Sequence, residues 1–144
     1  MTITLRQWVE QTKDRLEAVH KRSVEMLGEE MIRTKANGGR LPVDTGNLEK
    51  SQVASQEAMP KVAPAGTKFA GSNLGAVVAT MDVSKPLYIG MTANYARRRN
   101  FGFVGADSLG RKYNDAGDHF VEGAAAEWTN IVNRAIAEVK SSSK

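Results

Sequence analysis

The sequence contains no cysteine, and aromatic residues make up only 6% of it. Without cysteine there is no disulfide bond, no thiolate metal site and no cysteine nucleophile, so stability must come from packing or from partners. Long hydrophobic runs are missing as well. The longest mostly apolar stretch, Leu74 to Met81, is far shorter than the ~20 residues that a membrane-spanning helix needs, and the N-terminus lacks an apolar signal core. We therefore expect a soluble protein that is made in the cytosol and contacts no membrane.

The 144 residues are 41% hydrophobic and 25% charged, which suits a single compact domain spanning residues 1–144. The net charge of +4 is unevenly distributed. Between Tyr95 and Tyr113 lie five basic residues and one acidic residue, which is a local surplus of +4. This segment could face phosphate groups or an acidic surface on a neighbouring protein.

The first part of the chain predicts a long amphipathic helix within residues 1–36. Its apolar residues recur at the three- and four-residue spacing of a helix face. They are Leu5, Trp8, Val9, Leu16, Val19, Met26, Leu27, Met31 and Ile32. Thr2 or Thr4 could cap the start, and Asn37-Gly38-Gly39 is a strong stop signal. Because ~30 helical residues span ~45 Å, part of this helix is expected to project from the body or to pack on a neighbouring subunit.

The segment from Pro42 to Ser51 predicts a turn that leads into a short helix. Asp44 or Thr45 could cap that helix by accepting the free N–H groups of its first turn. Residues 52–58 then predict a strand.

Two long loops and two β-rich runs are predicted further along the chain. Residues 58–74 carry two prolines with glycine and small residues, and residues 102–117 are rich in glycine, as is typical of loops. Residues 75–81 and 87–91 are β-rich, so they predict two strands that form a hairpin.

The last part of the chain predicts a second amphipathic helix over residues 118–140, with Asp118 as its cap. Its apolar residues again fall at helical spacing. They are Phe120, Val121, Ala124, Trp128, Ile131, Val132, Ala135 and Val139. The order of elements predicts an α+β domain, in which a small antiparallel β-sheet packs against the long N-terminal helix and the C-terminal helix.

Neither histidine lies in a pattern typical of catalysis. His20 lies within the first predicted helix and His119 precedes the apolar face of the last one, and both suit ordinary surface positions. A hydrolase using either would need a nucleophile beside a base, and nothing local resembles a nucleophile elbow. Residues 114–119 carry Asn, Asp and His donors, but the alternating spacing and terminal glutamate of an EF-hand are missing. We expect no catalytic site, no cofactor and no metal.

One group of basic residues is the best candidate for contact with phosphate or with a single nucleic-acid strand. It consists of Arg97, Arg98, Arg99, Arg111 and Lys112, with aromatic residues interleaved. Three consecutive arginines cannot share one face of a helix or strand, so at least one is expected to make an internal or intersubunit bond. The competing interpretation is that these arginines are solvated or pair subunits. No helix-turn-helix, zinc-finger or RNA-binding signature accompanies them.

Two short motifs follow one another in a fixed order. The first is Pro42-Val43-Asp44-Thr45-Gly46-Asn47-Leu48, with Ser51 three residues on. The second is Asn94-Tyr95-Ala96 with Phe101-Gly102, before a closing helix that starts at His119-Phe120-Val121. With the opening amphipathic helix, this arrangement covers most of the chain. It resembles the phage tail-component family of neck, or tail-completion, proteins of long-tailed bacteriophages.

The resemblance implies which residues carry each motif. The family pattern Pro-x-Asp-Thr-Gly-x-Leu with a following serine is carried here without change by Asp44, Thr45, Gly46, Leu48 and Ser51. In the second motif Tyr95 and Gly102 keep the pattern. Asn100, however, stands where the family has an acidic residue, and His119 where it has a basic residue, often arginine. If those positions pair in the family, a hydrogen bond between Asn100 and His119 replaces the salt bridge here, or the bond is absent.

The resemblance implies a virion protein of the neck or tail, with no catalytic role, that is assembled in the host cytoplasm. Such a protein forms a homo-oligomeric ring, hexameric or dodecameric, between the capsid portal and the tail. Its expected partners are the head-closure or adaptor protein, the tail terminator and the tail tube, contacted through residues 58–74 and 102–117. Packaged DNA is a further candidate contact. The rival hypothesis is a small basic nucleic-acid-binding protein that uses the basic cluster at residues 97–112.

Overall fold

The first and longest element of the fold is helix α1, Leu5–Met31. The structure is a computed structural model that describes residues 2–142; Met1, Ser143 and Lys144 of the expected 1–144 domain lie outside the described residues. Thr4, one of the two predicted caps, begins α1. Its hydroxyl accepts the Gln7 N–H at 3.1 Å, and the Gln7 side chain accepts the Thr4 N–H at 2.9 Å.

Helix α1 ends earlier than the predicted 1–36 range. Its last residue is Met31, and the Asn37-Gly38-Gly39 signal instead ends a separate 3-10 helix, Lys35–Asn37. The chain leaves α1 early because it must turn back to place Leu41, which is fully buried, in the core. The stop signal was therefore recognised correctly but assigned to the wrong helix.

A two-stranded antiparallel sheet forms the centre of the domain. Strand β1, Gln52–Ser55, pairs with strand β2, Tyr88–Met91. Both strands lie within predicted strand segments, 52–58 and 87–91. The predicted short helix before β1 is a single 3-10 turn, Glu49–Ser51, without a side-chain cap.

The run 75–81 is not a strand. Residues Leu74–Thr80 form helix α2, so the predicted hairpin with residues 87–91 is wrong, and β2 pairs with β1 instead. The Asn73 side chain accepts the Ala54 N–H at 2.7 Å and donates to the Ala54 carbonyl at 3.1 Å. These two bonds occupy the edge of β1 that faces away from β2. The helix also buries an apolar face against β1 and α1. That face consists of Leu74 and Val78, and Met81, the residue that follows the helix, packs with them.

The segment 102–117 is a β-hairpin and not the predicted loop. Strand β3, Phe103–Ala106, pairs with strand β4, Lys112–Asp115. The Asp107 carboxylate closes the turn between them, because it accepts the backbone N–H groups two and four residues further on, each at 2.9 Å.

The predicted C-terminal helix, 118–140, consists of two consecutive helices. Helix α4 spans Phe120–Ala126 and helix α5 spans Trp128–Ser142. Glu127 separates them. Its N–H donates to the carbonyl of Ala124, three residues earlier, at 3.0 Å, which is the hydrogen-bond spacing of a 3-10 turn and not of an α-helix.

Three buried apolar clusters form the core, and α1 takes part in two of them. The cluster between α1, β1 and α2 consists of Val24, Ala54, Leu74, Val78 and Met81. The cluster around α4 consists of Leu41, Leu48, Ala93, Ala96 and Phe120. The cluster between α1 and α5 consists of Met26, Ile131 and Ala135. The α+β prediction is confirmed, although α4 and α5 pack mainly on α1. Within residues 2–142, none of the helices combines the length and hydropathy needed to span a membrane.

Candidate assembly surfaces

The first motif forms a corner in the backbone just before β1. Gly46 has φ +80°, in the left-handed region that favours glycine. Leu48 is buried, and its carbonyl accepts both the N–H (3.0 Å) and the hydroxyl (2.7 Å) of Ser51. The Ser51 carbonyl in turn accepts the N–H (2.9 Å) and the hydroxyl (2.8 Å) of Thr92. These bonds fix the path of the chain from the corner into the sheet.

Asp44 and Thr45 do not cap the 3-10 helix as predicted. The Thr45 hydroxyl accepts the Asn47 N–H at 3.4 Å, a bond within the turn itself, and Asp44 is exposed. The corner therefore holds its shape through Gly46, Leu48 and Ser51.

Asn47, at a variable position of the first motif, holds the long loop between β1 and α2. Its side-chain amide donates to the Thr67 carbonyl at 2.9 Å, and its side-chain oxygen accepts the Phe69 N–H at 3.0 Å. The loop is held a second time where the Ala63 N–H donates to the Thr92 carbonyl at 2.7 Å. Nothing in the sequence singled out Asn47, because its partners are backbone groups 20 and 22 positions away.

The second motif begins at helix α3, Ala96–Phe101, which follows Tyr95 and ends at Gly102. Gly102 has φ +81°, and a Cβ atom there would lie 2.1 Å from the Asp115 carbonyl oxygen. Only glycine fits this position, since both the conformation and the space exclude a side chain. Gly102 thus sets the close approach of α3 to the end of the hairpin.

The two departures from the family pattern, Asn100 and His119, meet on a third residue. The Asn100 amide donates to Glu122 Oε1 at 2.6 Å, and its side-chain oxygen accepts the Val121 N–H at 3.0 Å. His119 Nδ1 lies 2.9 Å from Glu122 Oε2, and the His119 N–H donates to the Asn100 carbonyl at 2.9 Å. The two side chains make no direct hydrogen bond to each other, as the second predicted alternative has it, and are joined instead through the Glu122 carboxylate.

His119 is held with both ring nitrogens facing acceptors. Nδ1 faces the Glu122 carboxylate, and Nε2 lies 2.8 Å from the Ala116 carbonyl oxygen. The Glu122 hydrogen bond, followed by that to Ala116, raises the pKa of His119 above its ordinary value, while nearby Arg40 opposes the shift. Desolvation raises the pKa of Glu122, but the hydrogen bonds from Asn100 and His119 outweigh it, so that pKa is lowered.

Two arginines of α3 lie over aromatic rings. The Arg98 guanidinium carbon lies 4.4 Å from the ring centroid of Phe103 and 4.5 Å from that of Tyr113, so it joins α3 to both strands of the hairpin. The Arg97 guanidinium carbon lies 5.2 Å from the ring centroid of Phe101.

The third arginine of α3, Arg99, pairs with carboxylates of its own chain. Its guanidinium lies 3.1 Å from Asp118 and 3.6 Å from Asp115. The prediction that at least one arginine makes an internal bond is thereby confirmed. The Asp118 carboxylate also accepts a hydrogen bond from the Lys35 ammonium group at 2.5 Å. It does not cap the last helix as predicted, because His119 occupies the N-cap position of α4.

The remaining two basic residues lie on the hairpin. Arg111 donates to the Asp107 carboxylate at 2.6 Å, and the Tyr113 hydroxyl donates to the same carboxylate at 3.2 Å. Desolvation raises the pKa of Asp107, but these hydrogen bonds and those from the turn outweigh it and lower that pKa. Lys112 is exposed, and within residues 2–142 it forms no ion pair.

Two open grooves lie on either side of Tyr95, which is 39% exposed. Thr45 and Tyr95 line both grooves, so the structure brings the two motifs together at one place. The larger groove, about 650 Å³, also carries Lys50 and Lys68, and none of its described lining residues is acidic. The smaller one contains Asp44.

Helix α1 has an apolar face that α5 covers only in part. Positions spaced alternately four and three apart line it: Leu5, Val9, Thr12, Leu16, Val19, Ser23 and Met26. Every buried residue of α1 lies at or after Ser23. Towards its start, Leu5 is 77% exposed, Trp8 56% and Leu16 66%. We call residues 3–11, which carry the first part of this face, the arm.

An apolar groove lies where α5 ends against α1. We call it the α1–α5 groove; it is lined by Thr12, Arg15, Leu16, Val19, Ile136, Val139 and Lys140. Its volume is about 570 Å³, and the exposure of Leu16 shows that no other part of the described chain fills it. The arm and the groove are adjacent along one face of α1.

Histidine and carboxylate side chains are the potential metal ligands among the described residues. No cluster of three or more histidine, aspartate or glutamate side chains among them is arranged to hold a metal ion. His20 is exposed on α1, far along the chain from His119 and its Glu122 partner. The chain matches no protein-family model, no curated protein and no solved structure.

Proposed function

We propose that this protein is a structural, non-catalytic subunit of the head–tail connector, or neck, of a long-tailed bacteriophage. Copies of the chain form a ring, hexameric or dodecameric, which completes the tail or joins it to the capsid portal complex. The resemblance of the two motifs suggests the role. The observation that carries the proposal is the uncovered apolar face of α1.

An exposed apolar face on a helix of 27 residues indicates a binding surface. The helix is ~40 Å long, so it extends beyond what one small domain can cover. In a free monomer Leu5, Trp8 and Leu16 stay in water, which costs free energy that contact with a partner recovers.

The charges beside this face favour a protein partner. Between residues 5 and 18 the chain has three basic and three acidic residues: Arg6, Lys13, Arg15, Glu10, Asp14 and Glu17. A helix that binds a membrane surface carries a basic polar face, and a helix that binds nucleic acid needs a basic surplus. A neutral, alternating set of charges is typical of helices that pack on other helices.

Two further segments offer contacts to other connector proteins. The loop between β1 and α2 exposes Met59 and Val62, and the hairpin exposes Val104 and Leu109. Asn47 holds the loop through its hydrogen bonds to Thr67 and Phe69, and Arg98 holds the hairpin through its contacts with two aromatic rings. They are the proposed contacts to the head-closure or adaptor protein, the tail terminator and the tail tube.

In this proposal the motif residues act by shaping the subunit. Gly46, Leu48 and Ser51 fix the corner before the sheet, and Gly102 fixes the approach of α3 to the hairpin. Their contribution to assembly is indirect, since it passes through the placement of the flanking surfaces.

The test is complementation of phage particles that lack this protein. Added to such capsids and tails, the purified chain should restore joined particles by electron microscopy. Amide exchange within the two exposed segments should slow on joining, because contact protects backbone N–H groups. A chain that stays monomeric beside portal-bearing capsids, with unchanged exchange in both segments, contradicts the proposal.

Single-strand nucleic-acid binding is the second candidate. Arg97 and Lys112 favour it, since neither pairs with a carboxylate in the described part of the chain, and Arg97 lies over an aromatic ring that could stack on a base. A connector that carries DNA could have both properties.

A further inference from the structure

The arm and the α1–α5 groove have matching chemistry but do not meet within one chain. The arm presents Leu5, Trp8 and Val9 on one helix face, with Ile3 just before the helix, and all four are exposed. The groove presents an apolar surface between two helices. A third helix seats naturally on such a two-helix surface, with its axis ~8–10 Å from each neighbour.

The arm cannot fold back into the groove of its own chain. Leu5 and Leu16 belong to one continuous helix, and 11 helical residues separate them by ~16 Å. Folding back would require α1 to break, and no proline or glycine lies between these residues.

We propose that the arm of one copy lies in the α1–α5 groove of a second copy. This inference rests on the proposed function and names the surface through which the subunits associate. The four-and-three spacing along α1 supports it, because that spacing is the seam along which helices pack side by side. Each copy has one arm and one groove, so every subunit of a closed assembly makes the contact twice.

The charges at the groove favour a second copy as the occupant. Arg15 and Lys140 make the rim basic, and among residues 2–142 neither has an ion-pair partner. The arm brings Glu10, whose carboxylate lies 3.9 Å from Lys13 and is exposed, so it is free to exchange partners. The arm also carries Arg6, so its own net charge is zero, and the complementarity comes from Glu10 meeting a rim that has two basic residues and no acidic one.

Cysteine cross-linking tests the contact directly, because the chain has no cysteine of its own. Protein carrying Leu5→Cys is mixed with protein carrying Ile136→Cys and oxidised gently. Disulfide-linked dimers should form in the mixture well above the level that either protein gives alone. The matched control pairs Leu5→Cys with Leu109→Cys, which is equally exposed (76%) but lies on the hairpin turn. A test mixture that yields no more dimer than this control overturns the inference.

A double variant, Leu5→Cys with Ile136→Cys, separates this inference from the proposed ring. A ladder of linked species supports both. If linked dimers form without larger species, the contact between arm and groove is supported but the ring is contradicted, because the arm of each copy then lies in the groove of the other. No linkage overturns the contact, whereas the joining of capsids and tails judges the connector role independently.

Charge substitutions give a second readout. Leu5→Glu and Leu16→Glu should each weaken self-association at least ~10-fold in sedimentation experiments, because the contact would bury a carboxylate. Both side chains are exposed, so circular dichroism and unfolding should be unchanged. Leu109→Glu should leave association as it is. Equal association of all three variants with the parent contradicts the proposal.

Discussion

At the residue scale, the same backbone conformation has different consequences at Gly46 and Gly102. Their φ angles are +80° and +81°. No heavy atom lies within 4 Å of the position that a Cβ atom would take at Gly46. At Gly102 the Cβ would lie 2.1 Å from the Asp115 carbonyl oxygen and 2.6 Å from the backbone of Ala116. A residue with a side chain would therefore be strained at both positions, and at Gly102 it would also clash with backbone atoms.

Alanine at these two glycines should separate the two effects. Gly46→Ala should lower the free energy of unfolding by about 1–2 kcal/mol, the cost of a left-handed conformation with a Cβ atom. Gly102→Ala should cost more than about 3 kcal/mol, because the hairpin must also move away from α3. Urea unfolding of both variants measures the difference. Equal losses would mean that the hairpin is not held against α3 as described.

Individual residues show which features of the candidate surfaces the sequence predicts and which it does not. The crowding of Arg97, Arg98 and Arg99 indicated an internal bond, and Arg99 makes one. Asn47 was not predicted, because its role depends on a loop that is distant in sequence. Local geometry can be inferred from residue type, whereas pairing between distant segments depends on the fold.

At the element scale, the start of α4 depends on one exposed histidine. His119 adopts φ +51°, ψ +42° at the N-cap, and its side chain accepts no backbone N–H of the first turn of the helix. Its imidazole instead lies between the Glu122 carboxylate and the Ala116 carbonyl. Both contacts favour the doubly protonated ring, because both partners are acceptors.

The fold should therefore lose stability as His119 deprotonates. Its pKa is raised in the folded state, so its contribution is complete below the ordinary value of 6.5 and is lost as the pH rises through the raised value. The difference in melting temperature between the parent and His119→Asn should be largest below pH 6.5 and should shrink as the pH rises above it. Asparagine is chosen because it tolerates the left-handed conformation and does not titrate.

The matched control for this pH dependence is His20→Asn, on an exposed part of α1. It should leave the pH profile of the parent unchanged. A gap between the parent and His119→Asn that stays constant with pH would show that the imidazolium contact does not stabilise the fold.

Long periodic segments predict the two main helical regions, although α1 ends well before residue 36 and the 118–140 segment forms both α4 and α5. The run 75–81 predicts a strand because of its valines, yet Val77, Val78 and Met81, together with Leu74, also have helical spacing. The deciding contact, between Asn73 and Ala54, joins distant parts of the chain. The hairpin was missed because its glycines suggested a loop.

At the scale of the whole molecule, folding neutralises much of the basic surplus between Tyr95 and Tyr113. Arg99 pairs with two aspartates outside that segment, and Arg111 pairs with Asp107 inside it. Arg98 lies between two aromatic rings. Arg97 and Lys112 remain without an ion pair among the described residues, although Arg97 lies over the Phe101 ring.

This difference predicts how nucleic-acid binding would depend on salt. If all five cations contacted phosphates, a plot of the logarithm of affinity against the logarithm of salt concentration for a single strand would have a slope of about −3.5. With only Arg97 and Lys112 available, the slope should be about −1.4. Fluorescence anisotropy with a single-stranded oligonucleotide measures it, and the double variant Arg97→Ala/Lys112→Ala should abolish the dependence. Retaining a steep slope in that variant would require Arg98, Arg99 or Arg111 to leave its partner within the chain and contact phosphate instead.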